Sequence, residues 1–155
     1  MQGNKEVIAS LNALLTGELS AIDQYVVQAH MLEDWGYRKL YERIAHETDD
    51  ERGHVVKLVR RILFLDGVPD VATRVALDIG KNPKEMLESD LKLELLVAKS
   101  LNDAMALCRS KGDNGTRAML EELLNDTERD HIFWLEQQLR LIDDVGLAEY
   151  LAEQL

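Results

Sequence analysis

Two copies of the short motif Glu-x-x-His occur in the chain, one at Glu51–His54 and the other at Glu128–His131. Residues three apart share one face of a helix, so each motif can direct a carboxylate and an imidazole at the same point. Two more glutamates, Glu18 and Glu94, lie within apolar helical stripes, where an unpaired charge is costly. Together these four carboxylates and two imidazoles form a donor set that can hold two divalent metal ions.

A pair of metal ions would compensate the charge of this set. Several carboxylates in one low-dielectric layer repel one another, and each is penalised by burial unless it becomes neutral. Oxygen donors with one imidazole per metal suit iron or manganese, and open coordination positions leave room for dioxygen. Zinc also fits these donors. The alternative is a metal-free bundle in which the same residues form buried Glu–His and Glu–Arg pairs.

These donors must be positioned by helices. Leu, Ala, Glu, Lys and Arg are abundant, and only two Pro and nine Gly interrupt the chain, which favours an all-α fold. In each of four long helices the ionisable residues interrupt the apolar stripe near its middle. The helices are predicted at about 4–34, 37–66, 83–111 and 116–144, with a short tail helix at 147–154.

The lengths of the connections predict the topology. Short turns make the first and second helices antiparallel, and likewise the third and fourth. The segment 67–82 is too long for a hairpin turn, and it could extend on the order of 50 Å at about 3.3 Å per residue. A helix of about 29 residues spans roughly 43 Å. The segment can therefore cross the full length of the bundle, and we expect residues 1–155 to form a single domain.

The composition limits the partners that the chain could have. Its net charge of −11 argues against nucleic acid and favours attraction of cations, although acidity can also serve solubility alone. The single cysteine, Cys108, fits a reducing compartment. The start of the chain has no apolar signal core, and no apolar run approaches membrane-spanning length. We expect a soluble cytoplasmic protein with no membrane partner.

Several stretches outside these motifs resemble the bacterioferritins, and the similarity runs along nearly the whole chain. The clearest are Asp34–Gly36, Arg61–Pro69 and the tail Val145–Leu151. The histidine of the second motif, His131, discriminates within the superfamily, because other bacterial ferritins usually lack it. The resemblance implies a ferritin-like four-helix bundle with one long crossover connection and a short C-terminal fifth helix.

The same resemblance implies iron storage and detoxification. A bacterioferritin is a ferroxidase that oxidises Fe(II) with O2 or H2O2 and stores ferric mineral inside a cage of twenty-four subunits. Two Fe ions per subunit would be held in a di-iron centre, and Glu51 and Glu128 typically bridge the irons. The positions that match the ligands of this centre are Glu18, Glu51, His54, Glu94, Glu128 and His131.

One position departs from the bacterioferritin pattern. The family binds haem b between two subunits through a methionine immediately after the second-helix glutamate, and here that residue is Arg52. Arginine carries a permanent charge and is a poor axial ligand. We therefore predict no methionine-ligated haem in a homo-oligomer of this chain. A cage mixed with a haem-binding sibling subunit could still hold haem.

Four more residues are candidates near the metal centre. The resemblance matches His46 and Asp50 to an inner-surface iron site that passes electrons or nucleates mineral, although a plain surface pair is equally compatible with their spacing. Tyr25 could hydrogen-bond a ligand carboxylate, donate an electron or only pack in the core. Glu47, one turn before Glu51, could lie just outside the ligand set. The tail helix is too short to be stable alone, and we expect it to pack at a subunit contact.

Other protein classes share parts of this pattern. A rubrerythrin-like peroxidase normally adds a Cys-x-x-Cys iron domain, which one cysteine cannot supply, and di-iron monooxygenase chains are usually longer. A DNA-protecting cage subunit often carries a basic tail, which this chain lacks. Another di-iron oxidase or peroxidase, or a structural subunit of a mixed bacterioferritin cage, stays open as an alternative. A ferredoxin-type reductant is the partner expected for iron release.

Overall fold

The computed structural model describes all 155 residues, and its regular structure is entirely helical. The predicted four-helix bundle with a short fifth helix is confirmed, and the long helices begin and end close to the predicted positions. None of the helices combines the length and apolar character that crossing a membrane requires. The elements are α1 (Lys5–Asp34), α2 (Arg38–Phe64), α3 (Pro83–Ser110), α4 (Asn114–Asp126), a π-helical segment (Thr127–Ile132), α5 (Phe133–Val145) and α6 (Leu147–Ala152).

Asparagine side chains define where two of the long helices begin. Asn4 Oδ1 accepts hydrogen bonds from the backbone N–H groups of Glu6 and Val7 and so caps α1. Asn82 Oδ1 accepts from the N–H of Glu85 at 3.0 Å, and Pro83 occupies the first position of α3. These contacts satisfy backbone donors that have no partner within the helix. The start predicted for α3 is confirmed.

The crossover between α2 and α3 runs along α1 for most of its length. Its successive residues hydrogen-bond to α1 side chains in ascending order, so the segment is parallel to α1. This confirms the long crossover connection. The contacts join Val68 to Asn12, Val75 to Ser20, Asp78 to Gln24 and Gly80 to Gln28.

Two apolar clusters fill the bundle, and a polar layer separates them. One cluster lies toward the start of α1 and includes Leu11, Leu58 and Leu101. The other lies toward the end of α1 and includes Leu32 and Ile44. The ionisable residues predicted at mid-helix lie between these clusters, so apolar packing shields the layer from water on two sides.

The fourth helix of the bundle differs from its prediction. The sequence predicts one continuous α-helix, whereas Thr127–Ile132 is π-helical and joins α4 to α5. The N–H of Phe133 bonds to the carbonyl of Glu128, five residues earlier. A π-helix places i→i+5 bonds where an α-helix has i→i+4 bonds, so it changes which side chains share a face. This change falls on the second Glu-x-x-His motif.

The tail helix α6 packs on its own chain. Tyr150 is only 4% exposed and belongs to the second apolar cluster, and its hydroxyl donates to Gln138 Oε1 at 2.8 Å. The backbone N–H of Lys39 donates to the carbonyl of Gln154 and secures the end of the tail. The expectation that the tail packs at a subunit contact was therefore wrong for Tyr150, because this side chain is already covered within one chain.

Candidate metal centre

Five of the six predicted ligands converge in the polar layer of the bundle. One comes from α1, two from α2, one from α3 and one from the π segment, and none exposes more than 3% of its surface. Two groups of three donors each have their ligand atoms within 4.8 Å of one another, and the groups share one glutamate. They are Glu18–Glu51–His54 and Glu51–Glu94–His131.

The shared residue, Glu51, presents one carboxylate oxygen to each half of the cluster. Its Oε2 lies 3.3 Å from His54 Nδ1, and its Oε1 lies 3.1 Å from His131 Nδ1. Glu18 Oε1 lies 3.6 Å from His54 Nδ1, while Glu94 Oε1 lies 3.2 Å from His131 Nδ1. The two imidazole rings are 6.0 Å apart between centroids. This geometry suits a bridging carboxylate flanked by two similar metal positions.

Several buried atoms of the cluster have no hydrogen-bond partner. They are both carboxylate oxygens of Glu18, one oxygen each of Glu51 and Glu94, and Nδ1 of His54. A buried polar atom without a partner costs roughly 1–3 kcal/mol, and a charged one costs more. Oxygen and imidazole nitrogen atoms are the donors that iron and manganese accept. The residues present therefore fit a pair of divalent cations.

Burial and mutual contact shift the protonation of the cluster. Burial raises the pKa of Glu18 well above its usual value, and burial likewise raises the pKa of Glu94. Burial alone would raise the pKa of Glu51, but its contacts with Glu18, His131 and His54 hold it below the usual range. Burial opposes a charged His54, yet its contacts with Glu18 and Glu51 raise its pKa to about 10. Contacts with carboxylates also raise the pKa of His131 above its usual value. Metal binding must therefore displace protons.

The sixth predicted ligand, Glu128, lies outside the cluster, and its side chain is exposed. In an α-helix it would share a face with His131. One turn of a π-helix takes more than four residues, so the residues next to His131 on the preceding turn become Asp126 and Thr127. Thr127 is fully buried, and Asp126 Oδ2 lies 3.4 Å from His54 Nε2. The alternative stripe spacing Leu123–Thr127–His131 was the sequence signal for this register.

Glu47 and Asp50 extend the cluster beyond the predicted ligands. Glu47 is 3% exposed, and its Oε2 lies 2.8 Å from His131 Nε2. Asp50 Oδ2 lies 3.9 Å from the same nitrogen and 3.5 Å from Nε2 of the exposed His46. Asp50 thus lies between the buried His131 and the exposed His46.

Tyr25 contacts the cluster from α1. Its hydroxyl donates a hydrogen bond to Glu94 Oε1, and the side chain is 1% exposed. Burial raises the pKa of Tyr25 well above its usual value, and the nearby carboxylates raise it further. The phenol therefore keeps its proton and can hold Glu94 in place.

A polar cleft of about 300 Å³ opens from the cluster to the surface. His54 and His131 line it, Asp50, Asp126 and Asp130 supply three carboxylates, and Lys57 supplies one positive charge. None of its lining residues is apolar. The sequence did not predict Asp126 and Asp130 as site residues, because neither interrupts an apolar helical stripe. The carboxylates of the cleft make it a route that favours cations.

Arg52, the position singled out in the sequence as a departure from the resemblance, faces away from the cluster. Its guanidinium Nη1 lies 3.5 Å from Asp49 Oδ1, and its side chain is 65% exposed. The side chain thus lies on the flank of the bundle, as its position one residue after Glu51 predicts.

Comparison with known proteins gives consistent matches. The family described as the ferritin-like domain matches residues 8–145. A bacterial ferritin of Pseudomonas aeruginosa is 50% identical, and the match covers all of both chains. A bacterial ferritin of Synechocystis sp. is 46% identical across the whole chain and 99% of the relative. A bacterioferritin of Mycolicibacterium paratuberculosis is 40% identical over 99% of this chain and 96% of its own length.

Proposed function

This chain belongs to the ferritin-like family, among the bacterial ferritins and bacterioferritins, and on that premise we propose that it stores iron and acts as a ferroxidase. The observation that carries the proposal is the Glu51-centred cluster, in which five buried donors surround two adjoining positions. Its unpartnered buried oxygens are compensated when two Fe(II) ions bind as substrate.

In the proposed reaction each Fe(II) gives up one electron, and an oxidant takes the pair together. Dioxygen accepts two electrons and two protons to become hydrogen peroxide, and hydrogen peroxide accepts two more of each to become water. Glu51 holds the two ions close enough to react together, with Glu18 and His54 completing one side and Glu94 and His131 the other. Tyr25 holds Glu94 through its hydroxyl.

Glu128 remains our proposed sixth ligand, as a second bridge between the ions. Because its side chain is exposed, the turn that carries it has to move from the π register toward the α register before it can reach the cluster. Asp126, which already contacts His54, supplies a carboxylate on that side in the π register.

The acidic cleft is the proposed entrance for Fe(II), and His46 with Asp50 is the proposed inner site that relays electrons or iron to the mineral. We place the protein in the cytoplasm, where a ferredoxin-type reductant would release stored iron. The haem prediction also stands as a proposal: Arg52 provides no ligand for haem b in a cage of this chain alone.

A cage of 24 identical subunits is the proposed assembly. In its support, the single chain leaves large apolar side chains exposed, including Phe64 at 52%, Leu96 at 55% and Phe133 at 57%. Exposed apolar side chains in number commonly mark subunit contacts.

Iron loading of the assembled protein tests the storage function. The protein is incubated in air with a large excess of Fe(II) over chains and then analysed by sedimentation. We expect ferric iron to sediment with a hollow assembly, well beyond two ions per chain. Iron that precipitates outside the protein, or a chain that sediments as a small oligomer, would contradict the storage function.

A further inference from the structure

One side chain of α2, Arg43, contacts the π segment and the metal cluster together. Its Nη2 donates to the backbone carbonyl of Asp130 at 2.9 Å and lies 2.6 Å from Glu47 Oε1. Its guanidinium carbon also lies 4.9 Å from the centre of the Trp134 ring in α5. No other side chain donates to a carbonyl of the π segment. Arg43 therefore connects α2 to the backbone of the turn that carries His131.

The same side chain acts on the imidazole of His131 through Glu47. Arg43 Nη2 forms an ion pair with Glu47 Oε1 at 2.6 Å, and Glu47 Oε2 lies 2.8 Å from His131 Nε2. The other ring nitrogen, Nδ1, faces Glu51 and Glu94. A carboxylate on the outer nitrogen of a ligand histidine fixes the orientation of its ring. Arg43 thus secures both the side chain and the backbone of one turn.

We propose that Arg43 is a positioning residue that holds the π segment in its i→i+5 register and thereby opposes the movement of Glu128 to the metal pair. The inference rests on the proposed function, in which Glu128 is a ligand. π-helices are rare and depend on their surroundings for support. The contact of Arg43 with the Asp130 carbonyl is such support. A change of register changes the hydrogen bonding of this turn, and we expect it to break the contact.

The carboxylate and the carbonyl both lie at one nitrogen of Arg43, Nη2, while the planar face of the guanidinium lies over the Trp134 ring. An ammonium group is a compact point charge without a planar face, so it cannot make all three contacts in this arrangement. We therefore expect Arg43→Lys to behave like Arg43→Gln. Retention of the wild-type register by the lysine variant would show that charge alone is sufficient and would overturn this role.

Arg43 and Glu128 make no direct contact, so coupling between them has to pass through the turn. If Arg43 holds Glu128 away, then loss of Arg43 should make Glu128 easier to recruit and should tighten metal binding. If Arg43 acts only on His131, its loss should weaken binding equally whether or not Glu128 is present. A double-mutant cycle separates these cases.

The cycle measures zinc binding to the assembled, metal-free protein by calorimetry in wild type, Arg43→Gln, Glu128→Gln and the double variant. Zinc is used because it is not oxidised. We expect Arg43→Gln to bind zinc about tenfold more tightly, the scale set by one hydrogen bond to a charged group. The gain should vanish in the Glu128→Gln background. Arg38→Gln, which removes an exposed i,i+4 pair with Glu42 on the same helix, should match wild type.

Hydrogen exchange of residues 126–132 gives an independent measure of the register. We expect Arg43→Gln to change exchange in this segment, and Arg38→Gln to leave it unaltered. If Arg43→Gln changes the zinc affinity equally in the wild-type and Glu128→Gln backgrounds, and the wild type still binds zinc at the cluster, only the role of Arg43 would be overturned. Zinc binding as tight in His131→Ala as in wild type would overturn the proposed function and this role with it.

Discussion

At the scale of single residues, Asp90 is a buried carboxyl that the metal cluster does not use. Its Oδ1 accepts hydrogen bonds from Gln24 and Gln28 at 2.8 and 2.6 Å, while its Oδ2 has no partner. Burial raises its pKa to about 7, and the charges of Glu94 and Glu47 add to the effect. Asp90 is therefore substantially protonated near neutral pH and loses that proton in mildly alkaline solution.

Replacing Asp90 with Asn should flatten the pH dependence of stability. The pKa of Asp90 is higher in the folded protein than in the unfolded chain, where it is near 3.8. The protonated Asp90 therefore stabilises the fold fully below pH 3.8, and this contribution to the free energy of unfolding is lost as the pH rises through about 7. Each pKa unit corresponds to about 1.4 kcal/mol, so the loss amounts to several kcal/mol. Chemical unfolding of the metal-free protein at pH 5 and pH 8 measures it.

The difference between wild type and variant isolates Asp90 from the other titrating groups. Asp103→Asn is the matched control, since Asp103 lies on the same helix in an exposed pair with Lys99. An Asp90→Asn protein whose stability falls as steeply as that of wild type between the two pH values would show that Asp90 is charged throughout.

His46 tests the proposed inner iron site. Its Nε2 lies 3.5 Å from Asp50 Oδ2, and Asp50 in turn lies near His131. We expect His46→Ala to slow mineral growth by about tenfold, the scale for loss of a residue that supports a metal site, and to spare the first rapid oxidation. Absorbance after sequential Fe(II) additions separates the two phases.

His30 provides the comparison for His46. It is an exposed histidine on α1 that is paired with Glu33 at 3.0 Å and lies outside the metal cluster. His30→Ala should mineralise iron at the wild-type rate. Unchanged mineral growth in His46→Ala would mean that His46 and Asp50 are only a surface pair.

At the scale of elements, the end of the crossover at Gly80 packs closely against the first turn of α3. A Cβ added at Gly80 would lie 2.7 Å from the Glu85 carbonyl carbon and 2.7 Å from Met86 Cα. These are backbone atoms at the start of α3, and they cannot move without disturbing it. We expect Gly80→Ala to lower the free energy of unfolding by about 2 kcal/mol, as overpacking commonly does.

Gly17→Ala is the matched control for this substitution. Gly17 lies inside α1, and nothing lies within 4 Å of the added Cβ. Alanine there should raise stability by up to about 1 kcal/mol through its helix propensity. If the two variants have the same stability in chemical unfolding, the close approach of the crossover to α3 is not as described.

Most of these elements could be predicted because local chemistry determines them. Apolar spacing located the four long helices, Asn82 and Pro83 defined the start of α3, and the length of 67–82 required a crossover. The π segment could not be predicted in this way. The spacings Leu123–Thr127–His131 and Leu124–Glu128–His131 both satisfy a helical stripe, and only the packed bundle selects the first.

The same limit applies to the candidate site. Glu18, Glu51, His54, Glu94 and His131 interrupt apolar stripes, and that pattern is visible in the sequence. The contacts of Arg43 and Asp126 are not visible, because each reaches the cluster from a different element and neither interrupts a stripe. Long polar side chains act across elements, so their partners depend on tertiary packing.

At the scale of the whole molecule, charge and haem content follow from the surface. The net charge of −11 and the acidic cleft favour the approach of cations, and this attraction weakens as salt screens it. On the flank of the bundle, Arg52 carries a permanent charge where a haem ligand would stand. We expect the purified homo-oligomer reconstituted with haem b to lack the absorption spectrum of bis-methionine haem.

Arg52→Met provides the complementary test, since it places a methionine where we propose that a haem ligand would stand, at a position outside the metal cluster. This variant should acquire a haem spectrum if the assembly places two such residues opposite each other. Bis-methionine haem in the wild-type homo-oligomer would contradict the prediction that Arg52 prevents its binding.

Rapid mixing of Fe(II) with metal-free protein in air tests most directly whether the Glu51-centred cluster binds and oxidises iron in pairs. The fast absorbance change should saturate at two irons per chain. It should slow by about 100-fold or more in Glu51→Ala/His131→Ala, which removes the shared carboxylate and one imidazole. In His30→Ala/Glu33→Ala, which removes an exposed pair of the same types, it should persist. A slow phase that is identical in all three proteins would contradict the account.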